Sequence, residues 1–406
     1  MSLARQNPAD SAKHLFDGVS EHDAAKNTGF GHELDVETVR DAAGFAALRT
    51  EWDQLHQRSE NASVFMSWAW HHTWWGVFGD KNELCILCVR LGGQLVALMP
   101  LYVRQHAWPK ASSVMFVGTG EGETDEVATE YLDVLTEPDH AQFFTSLLLS
   151  WLDNHHADKV FDFQQLLQSA NLIKALERNE NDWILSQQPR GYRYRLDMHQ
   201  HTSDIPMAQS RLKRVKRSLR AVERDGGMEQ RSVFHLQDAN DVLKAVSELS
   251  DQRQQHTGRA KSAFASTRFL QFHHRILPLL YQLDGADVQH FYLNDELCAA
   301  LYCFYDDSSC HYYQSGFVQS MANRYMPLTV AHLMEIERNR EAGRRYYDFM
   351  RGDDDSYKKD FNCDITPMVN MVRFPSEAYR RVHETFTMSR QRVVKELKRI
   401  GVSRRR

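Results

Sequence analysis

Alternating apolar and polar positions mark two hairpins in this chain. LGGQLVALMPLYV (Leu91–Val103) and LNDELCAALYCFY (Leu293–Tyr305) both read as strand pairs, joined through Gly92-Gly93 in one and Asn294-Asp295 in the other. Such dipeptides supply the positive φ that a two-residue hairpin turn needs. The likeness extends further at an offset of about 200 residues, as an internal repeat would. Upstream, Phe65-Met66-Ser67 with His71-His72 parallels Phe264-Ala265-Ser266 with His273-His274. Downstream, Val117-Gly118 parallels Ser315-Gly316, and Phe161-Asp162-Phe163 parallels Tyr347-Asp348-Phe349. Matches that keep their order predict a duplicated domain.

Each copy reads as helices, a hairpin, a further strand, a helix and a closing strand. In the second copy the pattern predicts helices over Ala239–Gln255 and Thr267–Tyr281, then strands over Val288–Leu293, Leu297–Tyr305 and Cys310–Phe317. A helix from Pro327 to Ala342 follows, with proline in its first turn and Gly343 past its end. The strand Tyr346–Met350 closes the unit. The expected class is α/β, two tandem domains, each a mixed and mostly antiparallel sheet flanked by helices. Their expected spans are 34–200 and 201–376, after an unstructured stretch over 1–33. Between the copies, Leu212, Val215, Leu219 and Val222 recur at helical spacing, so a linker helix is expected over 210–226, capped by Ser210 and ended by Gly226.

Composition changes this picture little. At 406 residues, two domains are the default, and a net charge of −5 gives no global case for nucleic acid, so no DNA partner is expected. The six cysteines are too sparse for a disulfide scaffold. Cys85 and Cys88 lie three apart inside a strand-like run, facing opposite sides, and read as core residues. The His-His pairs lack a carboxylate at metal-site spacing, and no metal is expected. The first residues lack the apolar segment of a signal peptide, and no apolar run nears the roughly 20 residues of a membrane span. A cytoplasmic protein is expected. Charge is local instead. Six of the ten residues Arg211–Arg220 are basic, and from Arg390 onward eight basic residues face Glu396 alone. The linker helix reads as a solvated cationic face or as a wall attracting an anionic ligand, and the basic segment 377–406 offers peripheral membrane contact.

Candidate chemistry concentrates in YYDFMRGDDDSYKKDF (Tyr346–Phe361). Asp348 interrupts an apolar strand, where burial would raise its pKa towards that of a general base. Arg351, Tyr357 and Lys358 follow within one loop and offer anion contacts to a substrate. The alternative is a strand-end ion pair between Asp348 and Arg351. Asp162, at the matching place in the first copy, is followed by Gln164-Gln165-Leu166 without those cations, and this asymmetry favours function for Asp348.

PLYVR (Pro100–Arg104), RLKRVKRSLR, SDQRQQHTG (Ser250–Gly258), YYQSGF and DFMRGDDDSYKKDF together resemble the CelD/BcsL-type proteins of cellulose and exopolysaccharide biosynthesis. These are GNAT-related acyltransferases, similar in layout to the tandem-GNAT Fem peptidyl transferases, and the resemblance spans roughly Leu34 to Phe374. It implies two tandem GNAT-like domains, the first degenerate. It also implies direct transfer of an acyl group, from acyl-CoA such as acetyl-CoA, to an amine, saccharide or hydroxyl acceptor. The family's phosphate-binding stretch falls on Arg324 to Thr329, where the arginine stands but Pro327 and Thr329 replace both glycines. The donor is then held differently or is another activated acyl group. In the first copy, Thr119 to Asp139 carries eight acids and no basic residue, which would repel a donor phosphate. The resemblance assigns Tyr313 to protonating the leaving thiolate, Arg324, Thr329 and Gly316 to the donor, and Gln314 to the substrate. Arg253 and His256 would face the acceptor, His256 as a base. A non-catalytic assembly factor of an exopolysaccharide pathway, or a Fem-like transferase using aminoacyl-tRNA, are the alternatives.

Overall fold

The computed structural model describes residues 33–106, 111–178, 183–201, 204–233, 243–249 and 263–385. The first half carries β1 (Leu34–Val39), α1 (Ala42–Ala47), α2 (Arg49–Arg58), α3 (Trp68–Phe78), β2 (Glu83–Leu91), β3 (Gln94–His106), β4 (Ala111–Phe116) and β5 (Leu135–Thr136). It ends with α4 (Ala141–His156), β6 (Val160–Leu167), α5 (Asn171–Arg178) and β7 (Ile184–Asp197). The second half carries α6 (Gln209–Arg224), β8 (Met228–Ser232), α7 (Thr267–Tyr281), β9 (Ala286–Leu293), β10 (Glu296–Tyr305) and β11 (Ser309–Phe317). The short α8 (Ala322–Tyr325), α9 (Pro327–Glu341), β12 (Tyr346–Gly352) and β13 (Asp364–Phe374) complete it.

The two halves share one sheet. Its order is β1-β2-β3-β4-β6-β13-β7-β12-β11-β10-β9-β8, with β5 beside β3. Read inward from either edge, the order is the same four-strand run followed by the strand after the crossover helix, so the repeat seen in the sequence is a structural one. At the centre the halves exchange their last strands. β7 pairs with β12 of the second half, β13 pairs with β6 of the first, and the two pair with each other. All contacts along the sheet are antiparallel except β4 with β6 and β11 with β12.

The repeated motifs have local physical causes. Gly92 and Gly93 stand at φ 58° and 83°, Asn294 and Asp295 at 52° and 61°, so both hairpins use the left-handed turn their dipeptides predict. Ser67 accepts from the Trp70 N–H at 3.2 Å and Ser266 from the Phe269 N–H at 3.1 Å, each capping the helix that follows. Phe65 and Phe264, two residues earlier in both copies, are buried. α3 and α7 then pack together on one face of the sheet, and Trp70 meets Phe272 and Phe304 edge-on at 4.9 and 5.2 Å. That core spans both halves. On the opposite face of the second half, α6 and α9 cover Leu196, Leu301, Tyr347 and Phe349.

One expectation is corrected. Ser210 does not cap α6, whose first residue is Gln209 and whose cap, Ala208, offers no side-chain bond. The helix expected over Ala239–Gln255 lies largely outside the described residues, as do 1–32 and 386–406. Cys85 and Cys88 are core residues of β2, and burial pushes their thiols up to about 11 and 12. No helix among the described residues is long and apolar enough to cross a membrane.

Candidate functional site

β11 and β12 pair in parallel at Ser309 with Tyr346, Cys310 with Tyr347, and His311 with Asp348, and then part. Both arms are bulged just beyond the last pair. The register against β10 skips Tyr313, and that of β12 against β7 slips between Asp348 and Arg351, with Met350 at φ 60°. A bulge bends its strand and re-aims the residues after it. The result is a fork, whose inner backbone edges along Gln314–Phe317 and Phe349–Gly352 have no strand between them among the described residues. β4 and β6 of the first half stop at the same place, after Met115 with Asp162.

At the base of the fork lies Asp348, fully buried. Its Oδ2 accepts from Arg193 Nε of β7 at 2.6 Å, and its Oδ1 from the Tyr131 hydroxyl at 3.1 Å and the Met350 N–H at 2.7 Å. His311 Nδ1 stands 3.6 Å away, an ion-pair distance, while its Nε2 bonds Asp306 at 2.7 Å. Burial alone would raise the Asp348 pKa, but the Arg193 charge, His311 and the Met350 N–H outweigh it and hold the carboxyl well below the usual range. His311 shows the mirror effect. Burial lowers its pKa, and the flanking Asp306 and Asp348 more than reverse that, pushing it up to about 9. The expected general base is therefore corrected: a carboxylate this stabilised is a poor proton acceptor near neutrality.

Its expected partner is corrected too. Arg351 does not reach Asp348. Its backbone N–H donates to Glu130 at 2.9 Å, and its guanidinium stands 3.6 Å from both Glu130 and Glu126. Lys358 turns its ammonium onto the carbonyls of Arg351 and Met350, at 2.5 and 3.3 Å, satisfying the bulged end of β12. Gly352 stands where β7 crosses closely. A Cβ on Gly191 would lie 2.7 Å from the Gly352 carbonyl oxygen, and one on Gly352 would lie 2.9 Å from Ser356 Oγ. The segment from Asp348 to Lys358 thus fastens the second half to β7 and to the acidic stretch of the first. That stretch was read as an obstacle to phosphate. It supplies the partners of the fork: Tyr131 to Asp348, Glu130 and Glu126 to Arg351, and the Val127 carbonyl to Tyr313.

Tyr313 and Tyr312, successive on β11, face opposite sides of the sheet. Tyr313 is enclosed by Trp70, Tyr302 and Phe304, and its hydroxyl donates to the Val127 carbonyl at 2.7 Å with His273 Nε2 at 3.0 Å. Burial raises its pKa well above the usual value. It is a core residue, which corrects its assignment as the acid for a leaving thiolate. On the other side, Tyr312 and Phe349, one from each arm, pack against His332 of α9 at 4.6 and 5.1 Å. His332 Nδ1 is 2.9 Å from the Tyr347 hydroxyl, and Nε2 is 3.3 Å from that of Tyr357, a residue 37% exposed. Burial, with help from Lys358, drops the His332 pKa to about 3, so this imidazole is neutral.

The α9 end of the fork is less regular than the family's pattern. Met326 takes a left-handed conformation, φ 49°, where a non-glycine residue is strained, and Pro327 offers no N–H. The Val330 N–H bonds the Met326 carbonyl, and those of Leu328 and Thr329 have no backbone partner among the described residues. Arg324 is exposed and held by Asp225, the residue that ends α6, at 2.5 Å. Gln314 and Gly316 lie on the fork arm; past the bulge it is Ser315 that shares the face of Tyr312, their hydroxyls 2.6 Å apart. Arg253 and His256 lie outside the described residues.

Sequence reasoning missed Arg193, Tyr131, Glu126, Glu130, Arg190, Gln165, His311 and His332. The arginines of β7 alternate with tyrosines in Tyr192-Arg193-Tyr194-Arg195, a pattern that marks a two-sided strand but names no partner. Among the described residues one metal-like cluster occurs, Cys303, Cys310 and Glu335. Glu335 is spent there, accepting from Tyr305, Arg338, Asn339 and Gln230 at 2.6–2.9 Å.

Residues 209–359, which contain the fork, match the acetyltransferase (GNAT) domain family. Among solved structures, the chain is similar to the crystal structure of FemX, at 11% identity and a TM-score of 0.57, covering 80% of this chain and 95% of that one. It is also similar to a conserved protein of unknown function from Bacteroides thetaiotaomicron VPI-5482, at 9% identity and a TM-score of 0.52, covering 83% and 100%. At such identities the likeness is one of fold. No curated protein sequence matches the chain.

Proposed function

We propose that the second half is a transferase domain that passes an acyl group from a thioester such as acetyl-CoA to an amine or hydroxyl acceptor at the mouth of the β11–β12 fork. The observation that carries this reading is the fork itself, two parallel strands bulged apart after three pairs, inside the segment that matches acetyltransferase domains. Its Gln314–Phe317 edge, beside which no strand stands among the described residues, can hold an extended donor arm and polarise a thioester carbonyl. The N–H groups of Leu328 and Thr329 at the start of α9 favour the donor's phosphates. With Tyr313 buried, the acid for the leaving thiolate is Tyr357, whose hydroxyl faces a neutral imidazole. His332 carries one ring proton. If Tyr347 donates to Nδ1, then Nε2–H donates to the Tyr357 oxygen and steadies the phenol beside the thiolate.

Calorimetry with acetyl-CoA and a turnover assay on Tyr357→Phe check the proposal together. The expected result is saturable binding in both proteins, with turnover in the variant lower by about 100-fold, the scale of acid catalysis. Unchanged turnover would remove Tyr357 from the reaction, and no binding would remove the thioester donor. A second reading, an aminoacyl-RNA donor, has one observation in its favour. Lys213, Arg214, Lys216, Arg217 and Arg220 on α6 are exposed, and none has an ion-pair partner among the described residues. RNA binding that weakens steeply with salt, without acetyl-CoA binding, would favour it. Placement in exopolysaccharide or cellulose synthesis rests on the sequence resemblance alone.

A further inference from the structure

Beside the fork, on the side of the first half, several polar groups are short of partners. The Arg351 guanidinium has five N–H donors, yet its nearest carboxylate oxygens, on Glu126 and Glu130, stand at 3.6 Å, beyond hydrogen-bond reach. Arg190 donates from one terminal nitrogen to Glu126 at 3.2 Å, and its Nε is buried without a partner. Gln165 gives its amide N–H to the same Glu126 oxygen at 3.1 Å, while its own Oε1 is buried and unpartnered. Arg351 Nε is a third such atom. Gln165 is 4% exposed and stands at φ 63°, so the fold holds it in a strained conformation in this place.

Buried polar atoms without partners are few in a folded protein, and three on three converging side chains call for a missing group. The side chains come from β6, β7 and β12, so both halves contribute. Arg351, Arg190 and Glu126 remain reachable, keeping 24%, 37% and 31% of their side-chain surface, while Gln165 lies buried behind Glu126. Local charge favours an anion. Two guanidiniums share the half-exposed Glu126, while Glu130 is buried and bonded to the Arg351 backbone. Planar guanidinium groups with open N–H edges suit the paired oxygens of a carboxylate or phosphate.

Resting on the reading of the fork as the transfer site, we propose that Arg351, Arg190 and Gln165 form an acceptor subsite. It takes an acceptor bearing a carboxylate or phosphate, whose oxyanion bonds the two guanidiniums while a neighbouring amine or hydroxyl of the same molecule donates to Gln165 Oε1. Glu126 is the internal anion that an acceptor displaces from Arg351. The subsite makes the bound acceptor an anionic molecule, whose nucleophile is presented where β12 leaves β11.

The test titrates the full chain with inorganic phosphate and with succinate at constant ionic strength, following heat of binding. Saturable binding of at least one is expected, and which probe binds tells phosphate from carboxylate. Arg351→Gln should raise its Kd by about 10-fold or more, the scale of a lost charge-assisted bond pair. Glu126→Gln, by removing the competing anion, should lower it. Should Arg351→Gln fail to fold, Arg190→Gln, at a half-exposed position, carries the same expectation. Saturation by neither probe means that water completes these groups and overturns the proposal. So does a Kd unmoved by both arginine variants, or raised by Glu126→Gln. Acetyl-CoA binding measured on Arg190→Gln and Glu126→Gln, which lie outside the fork, should not change. Its absence throughout, with the anion effects intact, would overturn the donor reading and leave the anion site standing.

Discussion

Replacing Asp348 by asparagine should cost the fold about 3–5 kcal/mol, the scale of breaking a buried ion pair from one side. The loss would come from the partner left behind, because Arg193 is itself almost wholly buried and its guanidinium would stand uncompensated under Tyr131, whose ring it faces at 4.4 Å. His311 would lose one of its two flanking carboxylates at the same time. The pH dependence follows from the shifts. Asp348 titrates lower in the folded chain than in the unfolded one, so its contribution is present above the unfolded value near 4 and is lost as pH falls. His311 titrates higher when folded, at about 9, so its contribution is complete below roughly pH 6.5 and fades as pH rises through 9, by about 3 kcal/mol in all. Denaturant melts of wild type and Asp348→Asn between pH 5 and 9 (bounds set by those titrations) should show the variant less stable throughout, with less alkaline loss. Equal stabilities would mean that the cluster does not fasten the halves.

Neither half should fold alone. Cut between β7 and α6, the first half keeps β7 but loses β12 and β13, the strands it pairs with, and β6 loses β13. Tyr194 and Leu196 of β7 are fully buried in the second half's core and would meet water, at about 2 kcal/mol for each large apolar side chain. The second half would likewise expose one edge of β12. Residues 1–203 and 204–406 produced separately are therefore expected to be insoluble or to unfold without cooperativity, and to give a folded complex when produced together. A cooperative melt from either piece by itself would contradict the exchange of strands.

What the sequence disclosed was local. The hairpin turns, the start of α9 at Pro327 and the strand at Tyr346 are each set by residues within a few positions, and each stands where the pattern placed it. What it withheld depended on distant partners. Nothing in Ile184–Asp197 says that this strand belongs between β13 and β12. Asp348 was singled out for the right reason, a charge in an apolar strand, and its direction of titration was misread. Burial was legible, whereas Arg193 lies 155 positions away and decides the sign. The acidic stretch from Thr119 was likewise read against an absent phosphate, when its charges answer Arg351 and Arg190. Tyr313 was chosen over Tyr312 without knowing which side of the sheet each would face, and the bulge at that position was not visible in the chain.

The central claim is that the donor lies in the fork of the second half. Amide hydrogen exchange with and without acetyl-CoA locates it directly. The account predicts slowed exchange in Gln314–Phe317, Leu328–Val330 and Phe349–Gly352, with the matching first-half segments Phe116–Gly118 and Phe163–Gln165 unchanged. Protection of the first-half segments instead, or of neither, would contradict it.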